Sequence, residues 1–420
     1  MLNLSFNFLK NIKSFIFPFY RNKDLKFIFK KLQDGIPENK IAARFVGGCV
    51  RKYLSKQKID DIDIATILTT DQIKEKFKDT NLKVIDTGVK HGTVTIVSEN
   101  HKVELTTLRK DITTDGRHAE VEYTDDWQQD SERRDFTINA IYMDINGKLY
   151  DPQMGTVDLK NKNIKFIGDP QKRIEEDYLR IVRFIRFKIL YDIVVEPTTS
   201  NVIKQNLDGI KKISKERIFI ELLKILDLKN FLSINQSNDL KEIFVMIFPE
   251  FFYLNRLERL KKVYQYSEAN VDILLAVLLI DEKNNHEYFI HKYNVSKKIK
   301  ESLEKFNNNL IKLKNDKEFF EKNLIKNVYL NGKNHLIALN LINFSINSKV
   351  KINDFSKTLN KILKIKLPIF PIDGETLKQK GMQEGQTLGN VLKTLEKEWI
   401  NNNFKISNDR IEEIIKENSN

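Results

Sequence analysis

The 420-residue chain has one cysteine, eight prolines, 15 glycines and only 15 arginines among its 71 basic residues. A single cysteine excludes a disulfide framework and a cysteine-ligated zinc site. No apolar run approaches the roughly 20 residues that a membrane-spanning helix needs, so no membrane partner is implied. The six histidines are scattered and none precedes an aspartate, which argues against an appended metal-dependent phosphohydrolase module. A hydrophobic share of 41% is too high for a chain that stays unfolded. What remains is a basic, thiol-poor chain with a formal net charge of +13. That balance suggests an intracellular, cytoplasmic protein with a polyanionic partner. The plainer reading is that richness in Lys, Asn, Ile and Phe follows an AT-rich genome. The charge is spread along the chain rather than gathered in a tail.

The scarce residues also map the architecture. Eight glycines fall between Gly47 and Gly168 and four between Gly374 and Gly389. None occurs from 210 to 331, and no proline lies between Pro249 and Pro368. A long stretch without helix breakers, with apolar residues at helical spacing, predicts packed helices. The Gly-rich first part predicts strands joined by tight turns. The expected fold class is α+β: an N-terminal head with a mixed sheet and helices, then all-α parts. Ten of the 15 arginines lie between Arg44 and Arg186. In a chain that otherwise uses Lys, such positions suit a need for the planar, multidentate guanidinium. The first 23 residues contain no acid and several aromatics. They read as an amphipathic helix packed on the head or as a targeting presequence.

The head carries the chemistry. The apolar run Ile41–Val46 enters a Gly47-Gly48 turn and then a helix, with Arg51 one turn in. Such a turn exposes backbone N–H groups that can hold phosphate oxygens. Ten residues on, Asp61 and Asp63 alternate with Ile62 and Ile64. In a strand the two carboxylates share the exposed face, where they repel unless a cation sits between them. Hard divalent ions prefer this oxygen-only arrangement. The stretches 84–88, 91–97 and 102–109 read as hairpin strands. Glu104 is either a third carboxylate beside the Asp pair or a solvated strand residue. From Asp111 to Glu132 there are eight acids against one base, Arg117, which predicts a mobile surface loop. In Arg133-Arg-Asp-Phe-Thr-Ile-Asn-Ala140 the paired arginines can neutralise a triphosphate, Asp135 can orient one of them, and Asn139 can bond a ribose.

Residues 173–187 read as one helix with Ile181, Val182, Ile185 and Ile189 on its apolar side. Asp177 and Arg180, three apart, can pair there. Cytosine and adenine both present an exocyclic amino donor beside a ring-nitrogen acceptor. A carboxylate beside a guanidinium matches both, and mismatches uracil and guanine. An Asp-x-x-Arg pair on a rigid helix can therefore select C and A without a template.

Together, Gly47-Gly-Cys-Val-Arg51, Asp61-Ile-Asp63, Arg133–Ala140 and Glu176-Asp-Tyr-Leu-Arg180 resemble motifs of the class II tRNA nucleotidyltransferases. These are the CCA-adding enzymes, whose close relatives include bacterial poly(A) polymerases. Ile213–Ile218 with Glu221 and Lys224 also resembles the family's neck-helix motif. The resemblance implies Mg²⁺ on Asp61 and Asp63 as the catalytic and metal-binding pair. It implies nucleotide binding by Gly47, Gly48, Arg51 and Arg134. Asp177 and Arg180 would read the base edge, supported by Arg183 and Arg186. The implied partners are a tRNA 3′ end, CTP and ATP, and the oligomeric state stays open. The implied organisation is a catalytic head over 1–160, a helical neck carrying the nucleotide-selecting helix over 161–230, a helical body over 231–345 and a tRNA-binding tail over 346–420. Lys52 stands where the family has Asp, which puts local salt bridging there in doubt. The segment from Pro371 to Trp399 resembles the tail of CCA-adding members. Addition of C, C and A is thus the first expectation. Poly(A) addition, partial CC or A addition, and a non-catalytic RNA-binding module are the alternatives.

Overall fold

The computed structural model describes residues 19–88, 92–99, 101–114, 119–192, 197–266 and 269–418. Most of the acid-free N-terminal segment therefore lies outside the described residues. Its last part, from Phe19, packs on the head, where Phe19 meets the rings of Phe45 and Tyr53 at 4.9 and 5.6 Å. The chain forms two compact units, 1–248 and 249–420.

The first unit opens with helix α1 (Lys23–Gln33), started by the Asn22 side chain, which accepts from the Asp24 N–H. Its buried residues Leu25, Ile28, Phe29 and Leu32 recur at helical spacing and form one face of the core. Strand β1 (Ala43–Val46) runs into α2 (Gly48–Leu54). Then come β2 (Ile62–Thr66), α3 (Thr70–Phe77), and the three strands β3 (Lys83–Gly88), β4 (Thr93–Val97) and β5 (Lys102–Thr107). With the later β8 (Tyr142–Met143) and β9 (Leu149–Tyr150) they make a mixed sheet ordered β3-β4-β5-β2-β1-β8-β9. Among the described residues, only the β2–β5 pair is parallel. The expected strands at 84–109 are thus present.

Alternation divides the sheet into two faces. Phe45, Ile62, Ile64, Val94, Ile96, Val103 and Leu105 are buried with α1 and with Ile73 and Phe77 of α3 in one core. At about 25 cal/mol per Å² of apolar area removed from water, this packing is the head's main source of stability. The other face is left for Asp63, Glu104 and their neighbours.

The acidic stretch is not a loop. Strands β6 (Arg109–Thr114) and β7 (Ala119–Tyr123) pair antiparallel as a separate sheet. Helix α4 (Trp127–Glu132) follows, capped by Asp126, which accepts from the Gln128 N–H. In sequence, Glu120 and Glu122 alternate with Val121 and Tyr123, a period of two that suits a strand in spite of the charge.

After α4 a 3₁₀ turn (Thr137–Asn139) leads to β8, and α5 (Gly155–Lys160) packs on that turn. The expected helix over 173–187 is two helices, α6 (Pro170–Glu176) and α7 (Leu179–Tyr191). Between them Asp177 is extended, with φ −154° and ψ 102°. Its carboxylate accepts from the Leu179 N–H at 3.1 Å, a local bond that competes with a continuous helix. Gly209 fixes the break from outside. A Cβ there would lie 1.9 Å from Tyr178 Cε1, so only glycine lets the Tyr178 ring rest on this backbone. The apolar side of α7 is as expected, with Ile181, Val182, Ile185 and Ile189 buried. Helices α8 (Pro197–Gln205), α9 (Lys215–Leu226) and α10 (Asn238–Ile247) complete the unit.

The second unit is helical throughout its described elements. Helix Val271–Leu279 is buried at every position from Ile273 to Leu279, as a central helix must be. The Gly-punctuated C-terminal segment has its own core around Leu377, Val391, Leu395 and Ile414. Among the described residues, no helix is long and apolar enough to cross a membrane.

The approach of α5 to the turn before β8 gives a direct test. A Cβ on Gly155 would lie 2.1 Å from the Thr137 carbonyl oxygen. Gly155→Ala should therefore destabilise the protein by about 1–3 kcal/mol, read as a lowered urea midpoint.

Candidate active site

The open face of the sheet gathers charge of both signs. Asp63 and Glu104 are register partners on the parallel strands β2 and β5, so their side chains stand next to each other. Asp61, exposed just before β2, adds its charge beside Asp63, and Ile62 and Ile64 point into the core. Burial pushes the Asp63 carboxyl up to about 6, with the charges of Glu104 and Asp61 adding to the rise. Arg134 and Arg51 act against it. Among the described residues, no group of three or more His, Cys, Asp or Glu is already arranged to hold a metal. The donor set is nevertheless all oxygen, which fits a hard divalent ion that keeps waters or phosphate oxygens in its shell.

The Gly47-Gly48 turn stands between the carboxylates and the arginines. Gly47 has φ +68°, a conformation that side chains other than hydrogen rarely adopt. A Cβ on Gly47 would lie 3.9 Å from Arg134 Nη1, and one on Gly48 would lie 3.8 Å from Asp63 Oδ2. The turn thus leaves room beside both charges. A cleft of about 420 Å³ opens here, lined by Gly47, Asp63, Thr106, Arg109, Arg133 and Arg134 among others.

Arg133 and Arg134 follow α4 and are held from behind by Asp130. The Asp130 side chain is 1% exposed. Its Oδ1 accepts from Arg133 Nε at 2.8 Å, and its Oδ2 accepts from Arg134 Nη2 at 3.0 Å and Tyr142 Oη at 2.7 Å. The two guanidinium charges hold the Asp130 carboxyl well below its ordinary range against the cost of burial. The sequence reading placed Asp130 in a surface loop and missed it. An acid three and four residues before two adjacent arginines was the available signal.

Asp135 does not orient either of these arginines. It accepts from Arg183 Nε at 2.7 Å and from Asn139 Nδ2 at 2.8 Å. Asn139 in turn accepts from Arg51 Nη1. Arg51 also donates from Nε to Tyr191 Oη at 3.0 Å and lies over the Phe187 ring at 4.7 Å. Arg51 is therefore buried and braces the sheet turn against α7. Lys52 pairs with Asp60 at 2.9 Å, so an ion pair persists despite the departure from the family pattern.

The expected Asp177–Arg180 pair is not formed, because the helix breaks between them. Asp177 Oδ2 pairs with Arg217 Nη2 of α9 at 2.7 Å. Arg180 Nη1 pairs with Glu176 Oε2 at 2.6 Å and also donates to the Arg173 carbonyl. Arg173, buried, donates to the carbonyls of Arg133 and Arg134, which fastens α6 to the paired arginines. Arg183 meets Asp135 at 2.6 Å, and Arg186 meets Glu221 of α9 at 3.1 Å. Burial pushes Arg186 down to about 10, and Glu221 opposes that shift. Arg134 and Arg180 are thus linked through Arg173, and Arg183 and Arg186 share Glu221 in a second cluster.

Comparison with known proteins adds to this geometry. A family model described as the poly A polymerase head domain matches residues 43–165. A second, described as a probable RNA and SrmB-binding site of polymerase A, matches residues 192–253. The chain is 32% identical to "CCA tRNA nucleotidyltransferase 1, mitochondrial" of Danio rerio, over 93% of this chain and 92% of that protein. It is 34% identical to the "CCA-adding enzyme" of Ligilactobacillus salivarius, over 93% and 96%. The fold resembles the crystal structure of the Bacillus stearothermophilus CCA-adding enzyme in complex with CTP. The TM-score is 0.65, with 23% identity over 94% of this chain and 96% of that one.

The strained carboxylate predicts a pH effect on the metal-free protein. A carboxyl raised in the folded state to about 6 stabilises the fold fully only below its unfolded value, near 3.9. That contribution is lost as pH rises from about 4 to about 6. Asp63→Asn should remove this loss and raise the unfolding free energy at pH 7 by roughly 1–2 kcal/mol. Denaturant melts of both proteins at pH 4 and pH 7 read the difference.

Proposed function

The chain belongs to the family of CCA-adding enzymes and CCA tRNA nucleotidyltransferases, and from that premise we propose that it adds C, C and A to the 3′ end of tRNA, using CTP and ATP. The reaction is nucleotidyl transfer: the terminal 3′-hydroxyl of the RNA attacks the α-phosphorus and diphosphate leaves. The observation that carries this reading is the Asp63 carboxylate facing Arg134 across the Gly47-Gly48 turn.

Each residue then has a task. Asp61 and Asp63 would hold a divalent metal, which we take to be Mg²⁺. When bound, it supplies Lewis acidity that lowers the hydroxyl's pKa and offsets charge at the α-phosphate. Gly47 and Gly48 let the phosphates approach the backbone closely. Arg134, with Arg133 beside it, offers guanidinium donors to the phosphate oxygens. Arg51 acts from its buried place by fixing Asn139, and so the wall next to the ribose. Asp177 and Arg180 select the base, and to do so they exchange their present partners, Arg217 and Glu176, for the base edge. Arg183 and Arg186 hold α7 in place through Asp135 and Glu221. Most of the acceleration comes from positioning and fixed charge. The division into head, neck, body and tail, with tRNA along the helical parts, belongs to the same proposal. So does a cytoplasmic setting, which the thiol-poor composition supports.

Poly(A) addition is the second reading, because the matching head model carries the poly A polymerase name. The relatives that span most of the chain favour CCA addition. Purified protein supplied with tRNA lacking its last three nucleotides separates these readings once product ends are sequenced. With CTP and ATP together the product should end in CCA. Long A runs indicate a poly(A) polymerase, and CC or A alone a partial enzyme. Asp61→Ala and Asp63→Ala should each lower incorporation by roughly 10²–10³-fold or more with the fold intact. Arg180→Ala should lower the preference for CTP over UTP by roughly 10–100-fold while tRNA affinity holds. Unchanged nucleotide preference would remove Arg180 from the base-reading role.

A further inference from the structure

The arginine pair next to the cleft is held by one buried carboxylate, Asp130 of α4. The Asp130 carboxylate gives one oxygen to each guanidinium. Oδ1 takes Arg133 through Nε at 2.8 Å and Nη2 at 2.7 Å. Oδ2 takes Arg134 through Nε at 3.2 Å and Nη2 at 3.0 Å. The same edge of each planar group is thereby turned inward. For Arg134 this leaves Nη1 toward the Gly47 turn, where a Cβ would lie 3.9 Å from it. Two further donors fix the carboxylate itself. Tyr142 Oη, on β8, donates at 2.7 Å, and the Arg109 backbone N–H, at the start of β6, lies at 3.4 Å. Asp130 is thus anchored to the sheet and the hairpin as well as to its own helix.

We infer that Asp130 is a positioning residue that presents Arg133 and Arg134 to the diphosphate-bearing part of the incoming nucleotide. The inference rests on the proposed nucleotidyl transfer and adds a residue and a role to it. The phosphates are common to CTP and ATP, so Asp130 serves both nucleotides equally and takes no part in choosing between bases. Its charge gives the test a sign. As a counter-charge alone, Asp130 would weaken anion binding, and its neutralisation would tighten diphosphate. As a positioning group it strengthens anion binding, and its neutralisation weakens diphosphate.

Asp130→Asn keeps the size of the side chain and one acceptor, and removes the charge. In the full-length protein the KM values for CTP and ATP should rise together by roughly tenfold, the scale of a lost charge-assisted hydrogen bond. Inhibition by inorganic diphosphate should weaken by a similar factor. The KM for tRNA lacking its 3′ nucleotides and the preference for CTP over UTP should stay as in the wild type. A purely structural defect would instead move the tRNA and nucleotide parameters together. Unchanged or tighter inhibition by diphosphate overturns the inference. Where circular dichroism shows that Asp130→Asn does not fold, Tyr142→Phe decides. It removes one donor to Asp130 and should weaken diphosphate by roughly threefold; no change overturns the inference. Calorimetric binding of diphosphate to wild type and variant needs no transfer reaction. A wild type that binds diphosphate and adds no nucleotide therefore contradicts the proposed function without touching Asp130.

Discussion

Like charges crowded on one side of a turn, and opposite charges fixed on the other, are the constraint on which this head is built. Asp63 and Glu104 are neighbours because β2 and β5 pair in parallel and in register. That pairing separates β5 from β2 in sequence by a helix and two strands, whose apolar residues close the opposite face. The core thus supplies the free energy that keeps repelling carboxylates together. Burial and repulsion push the Asp63 carboxyl up to about 6. On the proposed function, a nucleotide triphosphate carrying a divalent ion would offset that repulsion and meet the arginines with its remaining charge.

The arginines are organised by the same principle with signs reversed. Four of them are paired with buried or half-buried carboxylates. Asp130 holds Arg133 and Arg134, Asp135 holds Arg183, and Glu221 holds Arg186. Arg173 binds the carbonyls of Arg133 and Arg134, and its own carbonyl accepts from Arg180. Arg180 and Arg134 therefore share one set of hydrogen bonds through Arg173. Such networks fix geometry more than they add stability, since the desolvation of each charge offsets much of its pairing. That is the expected balance where a site must be preorganised.

Much of this was legible in the sequence. The period-two pattern at 61–64 matches a strand that buries Ile62 and Ile64, and the glycine and proline gaps separated the sheet-bearing head from the helical remainder. Local patterns failed where a tertiary contact decides. The helix over 173–187 breaks at Asp177, whose carboxylate takes the Leu179 N–H, and the Tyr178 ring beside it rests on Gly209, a contact between residues some thirty apart that no periodicity reports. With the break, the i,i+3 relation of Asp177 and Arg180 no longer implies a pair, and Arg217 takes the carboxylate instead. The stretch from 111 to 132 reads as a loop by its charge, although the alternation from Glu120 to Tyr123 suits a strand. Asp130 was hidden among seven other acids, although its spacing to Arg133 and Arg134 marked it out.

The central claim is that the ionised Asp63 waits for a cation that arrives with the nucleotide. Titration of CTP into the protein, with and without Mg²⁺, tests it most directly when wild type and Asp63→Asn are compared. The account predicts that Mg²⁺ strengthens CTP binding to the wild type, and that Asp63→Asn loses this gain while keeping the metal-free affinity supplied by the arginines. An equal gain from Mg²⁺ in both proteins would contradict it.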